Sequence, residues 1–237
     1  LEHHDSVAAE VRQRFGGLDI YMANAGVITL QASAQVSPDD YDTQFDINTR
    51  GVFFGVQSIT PVLRDGASII LTSSLAATKV LENHAVYAGS KAAIAAFARS
   101  WALELRARRI RVNVLSPGPV DTAIIGKLGV SDEQRPDFLK MLGDMIPAGR
   151  LGEAEELARA ALYLASPDSA FVNGTRALIS HLSAYLNTRG RWPGDCNRDG
   201  LLYHEFLDVA TLNAFELYDF IVPTSLTAAA ICAMRAL

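Results

Sequence analysis

Apolar residues recur at helical spacing in four stretches of the chain. In the first stretch, Val7, Val11 and Phe15 fall on one helical face. Asp5 or Ser6 can cap that helix at its start. The pattern predicts helices over residues 5–15, 38–63, 84–108 and 153–166.

Short, continuous apolar runs lie between these helices and predict buried strands over residues 18–23, 66–74, 109–116 and 175–180. In the first run, Leu18, Ile20 and Met22 are predicted on one face, opposite Tyr21 and Ala23. A strand that is apolar on both faces is expected to be covered on both sides. Strands alternating with helices predict an α/β fold with a parallel sheet between helical layers.

The composition narrows the class of protein. A chain of 237 residues with 49% hydrophobic residues suits one α/β domain, alone or with an appendage. A net charge of −5 without a Lys/Arg run argues against nucleic-acid binding. We expect no membrane segment, because no apolar run reaches about 18 residues, and no signal peptide is recognisable. Two cysteines without a CxxC pair indicate a reducing compartment, here expected to be the cytoplasm.

The character of the sequence changes near residue 186, which predicts one domain over residues 1–186 and an extension over residues 187–237. Within the extension, "DCNRDG" places Asp195, Asn197 and Asp199 at the first, third and fifth positions of a calcium loop. The twelfth position is Phe206, which cannot close the coordination sphere. A solvated turn is therefore predicted instead, and no metal site is expected.

Tyr87 and Lys91 are four residues apart on a predicted helix and should share one face. A free tyrosine has a pKa of about 10, which a neighbouring ammonium group lowers, so the pair suits general acid–base catalysis. Ser74 ends the preceding strand, where ligands bind in open parallel sheets. With seven tyrosines in the chain, this spacing alone is also compatible with ordinary helix residues.

Other segments occur with this pair in one order: "ANAG", "INTRG", "ILTSS", "YAGSK", "RVNVLSPGPVDT" and "PAGRLGEAEELARAALYLASPDSAFVNGT". On these segments, residues 1–180 resemble the short-chain dehydrogenase/reductase family, in particular members like the 3-oxoacyl-carrier-protein reductases. The resemblance implies a Rossmann-like, doubly wound parallel sheet. It also implies an oxidoreductase that interconverts a ketone and a secondary alcohol with NAD or NADP.

The resemblance implies a role for each residue of a catalytic set. Tyr87 would be the proton donor or acceptor, and Lys91 would bind the nicotinamide ribose and lower the pKa of Tyr87. Ser74 would hydrogen-bond the substrate oxygen. Asn48 would hold a water molecule of a proton relay, or would simply cap or kink its helix. His84, three residues before Tyr87, is predicted to be a loop histidine without a catalytic role.

Further residues would contact the cofactor if the resemblance holds. The first group follows a strand and comprises Asn24, Ala25 and Gly26. The second group follows the next-to-last strand and comprises Pro117, Gly118, Val120 and Thr122. For Thr122, a helix-cap role is an equal alternative.

The sequence departs from the family pattern at both ends. No glycine-rich pyrophosphate turn is present, so we expect the chain to lack the first three strands and the residue that selects NAD or NADP. Strand 18–23 would then be an exposed edge, and the chain would self-associate and fail to bind cofactor at millimolar concentration. The alternative to an enzyme is therefore a non-catalytic remnant that only self-associates. The extension 187–237 has no counterpart in the family.

The partners expected are a small carbonyl or alcohol substrate and, for a complete protein, further copies in a homodimer or homotetramer. The helices carrying "INTRGVFFGVQSI" and "YAGSKAAIAAFARSWAL" would form that interface. Residues 123–146 would form a lid over the substrate or, equally, a helix pair that packs on the core. Its apolar lining would be Ile124, Ile125, Leu128, Met141, Leu142 and Met145.

Overall fold

Four parallel strands form one sheet in the computed structural model, which describes residues 2–79, 81–122, 124–125, 130–131, 133–146 and 148–179. In sheet order the strands are β1 (Leu18–Ala23), β2 (Leu63–Thr72), β3 (Arg111–Ser116) and β4 (Arg176–Leu178). Each neighbouring pair is parallel. The predicted α/β class and parallel sheet are confirmed.

Helices cover both faces of this sheet. They are α1 (Glu2–Phe15), α2 (Pro38–Phe45), α3 (Gly51–Ile59), α4 (Ala85–Glu104), α5 (Arg135–Asp144) and α6 (Ala154–Ala165). On one face, buried residues of α1, α3 and α4 share a core with Ile69 of β2. On the other face, Leu164 of α6 is buried with Ile70 and Leu115. This three-layer arrangement is a Rossmann-like fold.

The face assignment in β1 was wrong for one residue. Ile20 and Met22 pack against the α6 side, but Leu18 is buried in the opposite core with Tyr21 and Ala23. The pairing register with β2 is irregular between Leu18 and Ile20. Here β2 advances five residues, from Leu63 to Ser68, while β1 advances two, so regular pairing and strict alternation both begin only at Ile20.

The second predicted helix is interrupted. A π-helical turn over Asp46–Arg50 joins α2 to α3, and a 3₁₀ turn over Thr60–Val62 ends the helical run. β2 therefore begins at Leu63, earlier than the predicted residue 66. Ser37 caps α2 as predicted, because its side chain accepts a hydrogen bond from the backbone of Asp40 at 3.1 Å.

The start of α1 also differs from the prediction. The helix begins at Glu2, so Asp5 and Ser6 lie inside it and do not cap it. Asp5 instead accepts a hydrogen bond from the hydroxyl of Ser58 at 2.7 Å, which ties α1 to α3.

The carboxyl ends of β1, β2 and β3 lie along one edge of the sheet because the strands are parallel. Among the described strands, β1 and β4 are the two outer ones. The predicted domain boundary near residue 186, the extension 187–237 and the "DCNRDG" turn all lie outside the described residues.

Candidate active site

Ser74, Tyr87 and Lys91 come together at the carboxyl end of β2. Ser74 lies just beyond the strand, where its hydroxyl accepts a hydrogen bond from the backbone of Ala76 at 3.1 Å and caps a short 3₁₀ turn. Tyr87 and Lys91 lie one turn apart on α4 and are 9% and 3% exposed. The predicted shared face is therefore the buried face of α4.

The hydroxyl of Tyr87 lies in an environment with two opposing effects on its acidity. Burial raises the pKa of Tyr87 above its ordinary value, because the phenolate loses hydration. A hydrogen bond with the side chain of Ser74 opposes this and lowers the pKa. Lys91 is not among these causes. The expectation that Lys91 lowers the pKa of Tyr87 therefore stays a prediction.

Lys91 is a buried cation. Its ammonium group donates a hydrogen bond to the backbone carbonyl of Thr72 at 2.9 Å. Burial lowers the pKa of Lys91 to about 8. In the described part of the chain, this is the one hydrogen bond of a group that carries three N–H donors, which leaves donor capacity for a ligand.

Gly26 provides the space that Lys91 occupies. A Cβ atom at this position would lie 2.9 Å from the ammonium nitrogen of Lys91 and 3.2 Å from the side-chain oxygen of Asn48. Sequence reasoning explained this glycine by close approach to a ligand. The structure shows a close approach to two of the chain's own side chains.

Asn48 lies in the π-helical turn and is fully buried. Its side-chain oxygen accepts from the backbone N–H of Val27, and its amide donates to the Val27 carbonyl, both at 2.8 Å. The second amide proton goes to the hydroxyl of Ser90 at 3.0 Å. Asn48 therefore holds the segment after β1 against α4. Single π-helical turns like the one that carries Asn48 are frequent at functional sites.

Two serines that were not among the predicted site residues support this arrangement. Ser90 accepts from Asn48 and donates to the carbonyl of Tyr87 at 2.7 Å. The hydroxyl of Ser73 donates to the carbonyl of Lys91 at 2.7 Å. Ser90 lies three residues after Tyr87 in "YAGSK", and that helical spacing was the available signal.

The first group of predicted cofactor residues, Asn24, Ala25 and Gly26, is exposed just beyond β1. The side chain of Asn24 accepts a hydrogen bond from the hydroxyl of Thr72 at 3.0 Å. This bond fixes the turn after β1 to the end of β2, beside Lys91.

The second group of predicted cofactor residues follows β3. The carbonyl of Pro117 accepts from the backbone of Leu75 at 2.8 Å, so this turn is joined to the one that carries Ser74. Val120 pairs with Gly152 in an isolated parallel bridge. The backbone carbonyl of Thr122 accepts a hydrogen bond from the backbone N–H of Ile125 at 3.1 Å.

The predicted lid is partly described. Ile125 is 3% exposed, whereas Met141 and Met145 of the α5 region are 49% and 66% exposed. Leu128 lies outside the described residues. A helix packed fully on the core would bury both methionines, so the arrangement favours neither simple alternative for the whole segment.

Two absences apply to the described residues alone. No group of three or more His, Cys, Asp or Glu residues there is placed to hold a metal ion. Among the helices of those ranges, none combines the length and apolar character needed to cross a bilayer.

Comparison with known proteins identifies relatives of this chain. A family model described as enoyl-(acyl carrier protein) reductase matches residues 1–180. The hydroxynaphthalene reductase-like protein Arp2 of Metarhizium brunneum is 38% identical over 182 residues, covering 72% of this chain and 67% of that protein. Versicolorin reductase 1 of Aspergillus parasiticus is 36% identical over 175 residues, covering 70% of this chain and 66% of that protein.

A solved structure shows the same fold. The gluconate 5-dehydrogenase of Burkholderia cenocepacia, in complex with NADP and tartrate, superposes with a TM-score of 0.68 at 29% identity, covering 74% of this chain and 68% of that chain. The chain spans about two thirds of the length of the curated relatives it matches. With a family model matching most of the sequence, the chain belongs to the short-chain dehydrogenase/reductase family of oxidoreductases.

Proposed function

We propose that the protein is an NAD(P)-dependent oxidoreductase that interconverts a ketone and a secondary alcohol. The observation that carries this proposal is the Tyr87 hydroxyl, buried and hydrogen-bonded to Ser74, one helical turn from the buried ammonium group of Lys91. A hydroxyl pair of this kind can hold a carbonyl oxygen and deliver a proton to it. Family membership supports the same reaction class.

In the reduction direction, Ser74 and Tyr87 would bind the carbonyl oxygen, and Tyr87 would donate the proton that this oxygen takes up. The raised pKa of Tyr87 keeps the phenol protonated at neutral pH, which suits an acid. In the oxidation direction Tyr87 must be a phenolate, which the hydrogen bond from Ser74 favours.

The residues present fit a nicotinamide cofactor. Lys91 has N–H donors beyond the one bound to Thr72, as two ribose hydroxyls require. The turn after β1 lies beside this group, since a Cβ atom at Gly26 would be 2.9 Å from its nitrogen. After β3, Gly118 and Val120 line a cavity beside α6. A bound nicotinamide would supply or accept the hydride. The choice between NAD and NADP stays open.

Asn48 would act mainly by position. Both of its amide protons are used, by Val27 and Ser90, and its oxygen has one free lone pair. Its proposed part in a proton relay would therefore depend on that lone pair or on its backbone carbonyl. Its firm contribution is to hold Val27, and with it Gly26, beside Lys91.

The substrate we propose is a bulky ketone, and a hydroxylated aromatic ring system is the best candidate. The support is the names of two relatives, a hydroxynaphthalene reductase-like protein and a versicolorin reductase. The exposed apolar side chains of Met141 and Met145 on the predicted lid suit such a surface.

Replacing Tyr87 by Phe tests the proposal. In a protein that also carries a glycine-rich pyrophosphate-binding segment, loss of the hydroxyl should lower turnover of 1-tetralone with NADPH or NADH by about two orders of magnitude or more, as for other general acids. Tyr41→Phe is the matched control, because the Tyr41 ring is exposed and stacked on Phe45. Full activity of Tyr87→Phe would refute the assignment, and a wild-type protein without any turnover would favour the non-catalytic alternative.

A titration tests the same assignment without cofactor. In protein labelled at the tyrosine Cζ carbon, NMR should show Tyr87 titrating above the ordinary tyrosine range. The Ser74→Ala variant should raise that pKa further, because Ser74 lowers it in the wild type. An unchanged titration in Ser74→Ala would refute the hydroxyl pair.

We also propose that copies associate through α3 and α4. On α4, Ala92 and Ala96 are exposed, whereas Ile94 and Ala98 are fully buried. Small exposed residues on a long helix permit close approach of a second helix. Ala96→Arg should lower the mass measured by light scattering, and Ala9→Arg on the exposed side of α1 should not. A monomeric wild type would refute this assembly.

A further inference from the structure

His84 lies three residues before Tyr87, at the start of α4, and takes no part in the chemistry above. It precedes the first residue of α4, and its carbonyl accepts from the backbone of Ala88 at 2.7 Å. Its ring meets the ring of Tyr87 edge to face, with centroids 6.4 Å apart and planes inclined by 66°. The imidazole is therefore a neighbour of the proposed proton donor.

One hydrogen bond identifies which ring nitrogen of His84 carries a proton. Nδ1 lies 2.5 Å from the carbonyl oxygen of Glu82. A carbonyl oxygen can only accept, so Nδ1 carries a proton. In the neutral imidazole, Nε2 is then an acceptor with a free lone pair. Within the described ranges, no hydrogen-bond partner of Nε2 is present.

The loop that carries His84 is held in place. Asn83 has a φ of +60°, in the left-handed region that few side chains favour. Its carbonyl accepts from the backbone of Gln31 at 3.0 Å, which joins this loop to the segment after β1. The imidazole therefore presents its acceptor from a fixed backbone.

We infer that His84 is a substrate-binding residue, whose Nε2 accepts a hydrogen bond from a substrate hydroxyl other than the reacting oxygen. This rests on the proposed function of Tyr87. Three helical residues span about 4.5 Å along the axis, so one ring system can reach both side chains. Tyr87 and Ser74 would select the carbonyl, and His84 would select ketones that also carry a hydroxyl.

Two variants separate the acceptor from the packing. His84→Asn keeps an N–H that can donate to Glu82 but has no atom at the Nε2 position. His84→Phe keeps a ring against Tyr87 and lacks both nitrogens. His3→Asn, at an exposed position of α1, is the control.

The measurement is the ratio of the dissociation constants of 1-tetralone and of each of its monohydroxylated forms, determined by calorimetry. The wild type should favour at least one hydroxytetralone by about three- to tenfold, as for one neutral hydrogen bond. Both His84 variants should bring the ratio near one. A structural disturbance of Tyr87 would weaken both ligands alike and leave the ratio unchanged.

A spectroscopic readout makes the outcome independent of turnover. In protein labelled with ¹⁵N in its five histidines, the His84 signal is identified by its loss in His84→Phe. The favoured hydroxytetralone should shift the Nε2 resonance, and 1-tetralone should not. An unshifted resonance, or a preference that survives in both variants, overturns the inference. Absence of 1-tetralone turnover in the wild type would count against the proposed function and leave the binding result decisive for His84.

Discussion

Lys91 should make the stability of this protein rise with pH, in contrast to a typical exposed lysine. Its side chain is 3% exposed and holds one hydrogen bond, to the carbonyl of Thr72. Within the described residues no carboxylate is paired with it, and burial lowers its pKa from 10.5 to about 8. Lys91→Met removes the titrating group but keeps a side chain of similar length.

The direction follows from proton counting. Below pH 8 the folded and unfolded chains both hold the Lys91 proton, and stability does not change through this group. Between pH 8 and 10.5 the unfolded chain holds more of that proton, so the free energy of unfolding rises with pH. The full pKa shift corresponds to about 3 kcal/mol in the free energy of unfolding. About 2 kcal/mol of this increase should have developed by pH 9.5.

Urea unfolding of the wild type and Lys91→Met at several pH values from 7 to 9.5 measures this difference. Burial raises the pKa values of Tyr21 and Tyr87 above their ordinary values, so both tyrosines stay protonated in the folded chain across this range. Loss of the hydrogen bond to Thr72 in Lys91→Met lowers the free energy of unfolding by the same amount at every pH. A wild-type minus variant difference that stays flat across this range would refute the desolvation of Lys91.

Three glycine substitutions test close packing within the fold. Gly26→Ala should displace the Lys91 ammonium and destabilise the protein by about 1–3 kcal/mol in urea unfolding. Gly89→Ala is the control. Its added Cβ atom would make only an ordinary contact at 3.6 Å, so this variant should be neutral or stabilising. Gly55→Ala would place a Cβ 2.5 Å from the Tyr21 hydroxyl, so it should destabilise similarly, and the added Tyr21→Phe should recover most of the loss; purely additive effects in that double-mutant cycle would contradict the contact.

The helices and strands were predictable because their buried positions recur in the sequence with the spacing of a helix or a strand. Where the prediction failed, a contact distant in sequence decided the outcome. Leu18 faces the opposite core because β1 shifts its register against β2. The π turn over Asp46–Arg50 interrupts a stretch whose apolar pattern is continuous. Neither feature leaves a local signal that a single sequence can reveal.

The candidate site was predictable as a set of residue types, but its electrostatics were not. Helical spacing correctly placed Tyr87 and Lys91 on one face. Burial then changed the expected acidity of Tyr87, since desolvation outweighs the hydrogen bond from Ser74. Desolvation depends on how closely the whole fold covers a group, so spacing alone cannot supply it.

The contacts around Lys91 show that the three segments "ANAG", "INTRG" and "YAGSK" pack together as one unit. The absent side chain of Gly26 leaves the space that the Lys91 ammonium fills. Asn48 binds both backbone groups of Val27 and so keeps Gly26 at that distance. A change in any one segment therefore moves the cation beside Tyr87. Since the energy of a buried charge depends steeply on its surroundings, the acid–base behaviour that we propose for the site would depend on this packing and not on the Tyr–Lys pair alone.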